Sequence, residues 1–460
     1  WELRKTETID VHDALGANIR VDARGNEVLR VLPRLHEGIN EEWIDDRTRH
    51  ACDGLKLKRL DRPYIRKNGK LAEATWEEAF TAVADKIKGA NKDKVAAYAG
   101  DLCDAESMLA LKDLMAANNV PNLECRVDGT FFDVRERAGY IFNSGIASIE
   151  QADAIILVGT NPRKEAALVN ARIRKTWLEK QVPVVLIGED ADLNYPYTHA
   201  GDTLAALDKV VESLAGKAQK PMMIVGMGAF KGVEGYVAHN ALRKAAEAIG
   251  CVKQDWLGFN VLHMAASRVG AIEIGFLPSK QFQARDMDVV YLLGTDNEET
   301  LSQISPNAFV VYQGHHGDAG AKRADVILPG AAYTEKSGLY MNTEGRVQMA
   351  KKAVDAPGQA REDWKVLRAL SVYTGTPLKY DDLFQLRARL VKEFPEFDAL
   401  DQLPGVQWAP FGLEGTVSSA VLSSPVSNFY LTNVIAKASP TMQECSRVLV
   451  HGEQILEAAE

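Results

Sequence analysis

Ala324-Asp325-Val326-Ile327-Leu328-Pro329-Gly330 continues through Thr334-Glu335-Lys336-Ser337-Gly338 to Met341-Asn342-Thr343-Glu344-Gly345-Arg346-Val347-Gln348. Val326-Ile327-Leu328 is apolar without polar alternation, the pattern of a strand covered on both faces. Pro329-Gly330 breaks that strand, Thr334-Glu335 gives a helix-start signal, and Asn342-Thr343-Glu344-Gly345 has the composition of a tight hairpin turn. Working outward, similar apolar runs occupy residues 95–98, 154–158, 182–187, 222–225, 289–293 and 309–312. Amphipathic helices are predicted between them, starting near Glu106, Arg163, Thr203, Glu234, Leu257 and Arg361. Strands alternating with helices imply right-handed βαβ units, and so many strands imply two sheets rather than one.

The fold class expected is therefore α/β, with two doubly wound, Rossmann-like sheets. Ahead of them the chain is β-rich. Residues 18–22 and 27–32 alternate apolar and polar around Arg24-Gly25-Asn26, a hairpin pattern. Residues 59–70, with Pro63 and Asn68-Gly69, have the composition of a linker. Thr75 and Glu78 form a capping box ahead of Ala79, Phe80, Val83, Ala84 and Ile87. Asn161-Pro162 is another helix start, with Asn as cap and Pro in the first turn. Residues 381–394 read as one amphipathic helix, and 403–427, rich in Pro, Gly and Ser, as an extended tail. The organisation expected is a β-rich module at 1–60, one α/β domain at 61–127 and 218–375, a second at 128–217, and a helical and extended tail at 376–460.

Net charge is −9, from 54 Lys and Arg against 63 Asp and Glu, so the basic footprint of a nucleic-acid surface is missing. The local basic run Lys56-Leu-Lys58-Arg59 is a solvated face. No apolar run approaches the roughly 18 to 20 residues of a spanning helix, so direct membrane insertion is not expected. The five cysteines, Cys52, Cys103, Cys125, Cys251 and Cys445, contain no Cys-x-x-Cys spacing. A locally built zinc or iron–sulfur site is excluded on that spacing, and scattered thiols suit a reducing compartment.

Two groups of residues invite a chemical reading. Gly159, Gly188, Gly226, Gly228 and Gly294 follow strands, where a glycine turn can admit a phosphate to a helix N-terminus. The turn from Gly226 to Gly232 is one residue too long for the Gly-x-Gly-x-x-Gly spacing, so tight-turn glycines are preferred. His315-His316-Gly317-Asp318 follows a strand. Adjacent histidines point different ways, which favours a hydrogen-bonded loop over a metal site.

The stretch at 324–348, with its Gly330-Ala-Ala-Tyr-Thr-Glu-Lys-Ser wording, resembles the signature of the molybdopterin oxidoreductase family. Within it the wording is closest to the large iron–sulfur subunit of respiratory NADH:quinone oxidoreductase (complex I). The resemblance extends to Trp1-Glu-Leu-Arg-Lys-Thr-Glu7, Ile39-Asn-Glu-Glu-Trp-Ile44, Leu157-Val-Gly-Thr-Asn-Pro-Arg163 and Asn170-Ala-Arg-Ile-Arg-Lys175. It also covers residues 312–318, 361–364 and 429–432. In the family a small first domain holds a [4Fe-4S] cluster on four cysteines. The match sets Asp10, Asp13 and Ala17 at three of those positions and the fourth near Asp45. Carboxylates are poor substitutes for thiolates and Ala17 offers no donor atom. Exposed turn carboxylates are expected there, in preference to a leftover hard-cation site. Cys125 lies where catalytic relatives place a molybdenum ligand, but its flanks, Asn122-Leu-Glu-Cys-Arg126, do not match, so a structural thiol is expected. Glu335, Glu344 and Arg346 would serve hydrogen bonding inside the fold.

The resemblance implies a scaffold region of a complex I peripheral-arm subunit, with no catalytic, cofactor-binding or metal residue in this segment. It would be the C-terminal part of a subunit whose [2Fe-2S] and [4Fe-4S] clusters lie in a preceding part. Its partners would be other peripheral-arm subunits, on the cytoplasmic face of a bacterial inner membrane or the matrix face of a mitochondrial one. The alternatives are an active molybdopterin-dependent oxidoreductase of formate dehydrogenase type, and a nucleotide-binding module.

Overall fold

The computed structural model describes residues 2–453. The apolar runs bury both faces, so only neighbouring strands can satisfy their amides and carbonyls. Two large sheets result. One has seven strands in the order Lys70–Glu73, Tyr64–Lys67, Val326–Pro329, Phe309–Gly314, Val289–Leu293, Val95–Ala99 and Asn122–Glu124. Its last five strands are mutually parallel, and Tyr64–Lys67 is antiparallel to Val326–Pro329. The other has five parallel strands in the order Thr198–Gly201, Val184–Ile187, Ala154–Val158, Pro221–Gly226 and Phe259–Leu262. The predicted N-terminal hairpin forms between Asn18–Arg24 and Glu27–Pro33, and Arg4–Ile9 adds a third antiparallel strand.

Strand order fixes where a ligand could reach. From Val95–Ala99 the chain crosses to Asn122–Glu124 on one side and later returns to Val289–Leu293 on the other. From Ala154–Val158 it goes to Val184–Ile187 on one side and to Pro221–Gly226 on the other. Each reversal opens a crevice beyond the carboxyl ends of the strands, where doubly wound folds bind their ligands.

The capping box forms as predicted: Thr75 Oγ1 accepts from Glu78 N at 3.2 Å, and Glu78 Oε2 accepts from Thr75 N at 2.8 Å. Helix Trp76–Gly89 buries Ala79, Phe80, Val83, Ala84 and Ile87. Four expectations are corrected. The supposed linker at 59–70 contains Tyr64–Lys67, whose Asn68-Gly69 turn leads into Lys70–Glu73. Both turn residues have positive φ, +51° and +79°, so the turn signal belonged to a hairpin. No helix starts at Leu257; Phe259–Leu262 is a buried strand and the next helix is Arg268–Glu273. The second sheet runs on to Leu262 instead of ending near residue 217, because Pro221–Gly226 pairs directly with Ala154–Val158. At Asn161 the side chain makes no cap; Glu165 Oε1 accepts the Asn161 N–H at 2.7 Å instead.

The stretch at 324–348 joins these parts. Its hairpin, Gly338–Met341 with Val347–Ala350, closes through Asn342 N to Arg346 O at 2.9 Å, with Gly345 at φ +76°. The turn reaches outward on two sides. Asn342 Nδ2 donates to Leu15 O at 2.9 Å and Thr343 N to Ala14 O at 2.7 Å. Thr343 Oγ1 donates to Val261 O at 2.9 Å, on the edge of the five-stranded sheet. Glu344 accepts from Ile146 N at 2.8 Å and from Arg346 Nε at 2.9 Å. Glu335 takes Arg59 Nη2 at 2.6 Å, so the three polar residues bond inside the fold as expected.

Lys336, 6% exposed, sits between Asp104 Oδ2 at 2.8 Å and Asp363 Oδ2 at 2.6 Å. Asp104 also caps helix Ala105–Ala117, so one ammonium ties the hairpin to two helix starts. Lys336→Met leaves two buried carboxylates without their cation. A loss of about 3–5 kcal/mol is expected from urea unfolding, and a change below about 1 kcal/mol would show that the triad is not needed.

Candidate functional site

The β-rich module places its candidate residues by short-range geometry. Asp10 ends strand Arg4–Ile9, and its amide bonds Ala17 O at 2.8 Å, which brings those two positions together. Asp45 is the N-cap of helix Asp46–His50 and accepts from Thr48 N at 2.7 Å. The first turn of that helix carries Arg47 and Thr48 inward. Arg47 Nη2 lies 3.2 Å from Asp13 Oδ2 and 3.4 Å from Asp45 Oδ2, and Thr48 Oγ1 donates to Asp10 Oδ2 at 3.0 Å. Asp10, Asp13, Ala17 and Asp45 thus converge, as their match to four ligand positions implies.

They are not exposed turn carboxylates. Asp10 is 1%, Asp13 3% and Arg47 2% exposed. The expectation failed because the partners that make burial tolerable come from a helix some 35 residues away in the chain. Burial pushes Asp10 well above the usual carboxylate range, with Asp13 and Asp45 adding to it. Burial likewise pushes Asp13 up to about 6, against the pull of Arg47. Burial, then Arg47, pushes His12 down to about 3, so its ring stays neutral.

The donor set does not fit an iron–sulfur cluster. Clusters take soft thiolates, whereas this position holds carboxylates, a methyl group and a guanidinium that cannot lose its proton. Among the described residues, no group of three or more His, Cys, Asp and Glu is arranged to hold a metal ion.

Both switch-point crevices are present as cavities. The first, about 560 Å³, lies beyond Val95–Ala99 and Val289–Leu293. Asp101, Asp128, Asp296, Glu298 and Glu299 line it, and Lys437 is the one cation lining it among the described residues. Burial, opposed by Arg268, pushes Asp101 up to about 6, and burial does the same to Asp296. The second, about 310 Å³, is lined by Thr160, Lys164, Glu189 and Asp190 together with Leu422 and Ser424. A pterin cofactor carrying phosphates does not fit the first cavity: five carboxylates face one ammonium where an anion needs cations and free amides.

Cys125 is 1% exposed, and burial pushes its thiol up to about 12, which keeps it protonated and a poor ligand at neutral pH. Its neighbour in the field, Arg268, is buried and pairs with Asp128 at 3.1 Å. His315 and His316 are buried and face each other through their Nδ1 atoms, and His316 Nε2 meets Gly54 O at 2.9 Å. This is the hydrogen-bonded loop expected. Gly159, Gly188 and Gly294 have φ of +57°, +136° and +61°, so the strand-end turns themselves call for glycine. Arg47, Asp101, Arg268 and Lys437 went unrecognised in the sequence. Only the closeness of Arg47 to Asp45 in the chain could have signalled its role.

Known proteins share these parts in order. The family model described as molybdopterin oxidoreductase matches residues 59–373, which hold both large sheets. The model described as NADH-ubiquinone oxidoreductase NDSU1/NuoG-like, 4Fe-4S domain matches residues 3–53. A third model, for the C-terminal region of the same NADH-ubiquinone oxidoreductase subunit, matches residues 404–445. The mitochondrial NADH-ubiquinone oxidoreductase 78 kDa subunit of Neurospora crassa is 45% identical over 98% of this chain and 64% of its own length. The corresponding NADH-quinone oxidoreductase subunit of Rickettsia conorii is 42% identical over 97% of this chain and 67% of its own. The chain therefore spans about two thirds of these relatives. Acetylene hydratase from Pelobacter acetylenicus shares the fold, with a TM-score of 0.53 at 12% identity over 81% of this chain and 69% of that one. One expectation is corrected: an iron–sulfur type of domain lies within this chain, at 3–53, and not only in a preceding part.

The acidic first cavity gives a pH signature. Asp101 binds its proton more tightly folded, at about 6, than at its ordinary value of 3.8. Its contribution is present in full below the ordinary value and is lost as pH rises through about 6. Asp101→Asn should gain on the wild type by on the order of 2 kcal/mol between about pH 4 and pH 7. Parallel stability–pH curves for the two proteins would contradict the assignment.

Proposed function

Because the chain belongs to the molybdopterin oxidoreductase family, we propose that it acts as a non-catalytic scaffold region of a peripheral-arm subunit of NADH:quinone oxidoreductase (complex I). In this reading no residue of the chain has a catalytic, cofactor-binding or metal-ligating role. The chain holds iron–sulfur domains in place and presents surface to neighbouring subunits of the arm, against the cytoplasmic face of a bacterial inner membrane or the matrix face of a mitochondrial one. The names of its relatives support the assembly. A peripheral position suits a chain in which no helix of the described residues is long and apolar enough to cross a membrane.

One observation carries the non-catalytic reading: the Arg47 guanidinium stands between Asp13 and Asp45, two of the positions that the resemblance sets against cluster ligands. The module keeps the fold of a cluster domain around an ion pair. The acidic lining of the first cavity supports the same reading for the pterin.

Elemental and pterin analysis of the purified chain tests the proposal. Molybdenum, tungsten and extractable pterin are expected at background. A stoichiometric amount of either metal with pterin would replace the scaffold reading with that of an active oxidoreductase.

A further inference from the structure

The chain's own C-terminal segment enters both cavities. Leu422, Ser424, Val426 and Ser427 line the second, and residues from Pro425 to Lys437 line the first; Val426, 5% exposed, belongs to both. We propose that residues 422–437 form a self-docked strap that walls both switch-point clefts as one unit, latched at its middle by Arg47.

The approach of strap to cleft is too close for a loosely laid tail. A Cβ at Gly228 would stand 2.2 Å from Ser423 O, and one at Gly188 would stand 2.8 Å from Leu422 O. The strand-end glycines thus admit backbone carbonyls of the same chain, at turns of the kind that admit phosphate elsewhere. Leu422 O accepts the Glu189 N–H and Leu422 N donates to Asp202 O, each at 2.9 Å. At the other end Lys437 stands 3.5 Å from Asp296 and 3.7 Å from Asp318, so the strap itself supplies a cation to the acidic cavity. A Cβ at Gly54 would lie 2.2 Å from Ile435 O, so helix Val434–Ala438 seats directly on the β-rich module.

The latch lies between these ends. Arg47, held by Asp13 and Asp45, donates through Nη1 to Thr432 Oγ1 at 2.9 Å, and its guanidinium carbon lies 5.0 Å from the centre of the Phe429 ring. Asn433 bonds His12 beside it at 2.9 Å and caps helix Val434–Ala438. The ion pair at the cluster-domain position therefore also fixes the segment that lines the clefts. These contacts hold the strap whether or not the chain serves as a scaffold.

Hydrogen exchange on the full chain tests it with two variants chosen to keep the carboxylates paired. Arg47→Lys retains the positive charge but loses the planar fork that reaches Thr432 and stacks on Phe429. Phe429→Leu/Thr432→Val leaves Arg47 and its acidic partners untouched. In both, amides of 422–424 and 428–437 should exchange roughly tenfold faster together, with Arg4–Ile9 and Ala154–Val158 as protected as in the wild type. Faster exchange confined to 428–437 would overturn the single strap. Unchanged exchange in both variants would overturn the latch, as would a uniform loss of protection along the chain.

Discussion

A positive charge sits among buried carboxylates at Arg47, where the β-rich module meets the C-terminal segment. The guanidinium pairs with both Asp13 and Asp45 in the interior and opposes the burial that pushes Asp13 up. Burial, and then the same guanidinium, keeps His12 neutral, and Arg47 reaches the strap through Thr432 and Phe429. Removing one partner of such a buried set costs more than the pair contributes, since the remaining charge is left uncompensated. That asymmetry makes the ion pair a structural element of the β-rich module.

Around this centre the architecture is held by polar groups at junctions rather than by the sheets alone. The turn at 342–346 bonds the β-rich module through Ala14 and Leu15, and the five-stranded sheet through Val261. Lys336 and Glu335 tie the flanking segment to the helix starts at Asp104 and Asp363 and to Arg59. These bonds hold the β-rich module and the two sheets together around the crevices. The crevices still lie where strand order places them, but one is acidic and both are shared with the chain's own C-terminal segment.

Much of this fold was legible in the sequence because its signals are local. The apolar runs at 95–98, 154–158 and 289–293 became buried parallel strands, and Thr75 with Glu78 formed its capping box. The linker reading of residues 59–70 failed because Asn68-Gly69 serves a linker and a hairpin turn equally well in composition. Phe259–Leu262 was misread as part of a helix because a short apolar run has no period of its own. The site was legible only as a set of positions. That Asp10, Asp13 and Asp45 would meet followed from resemblance; that they would be buried depended on Arg47 and Thr48, which local pattern does not reveal. The strap was legible as extended chain but not as the lining of two clefts, since its contacts join residues hundreds of positions apart.

Whether an ion pair or a cluster occupies the position shared by Asp10, Asp13, Ala17 and Asp45 decides the role of the whole module. Anaerobic incubation of the purified chain with iron and sulfide, followed by desalting and Mössbauer spectroscopy, addresses it most directly. The buried ion pair predicts that no cluster spectrum stays with the protein. A cluster spectrum that persists in the wild type and vanishes in Asp10→Ala/Asp13→Ala would contradict it.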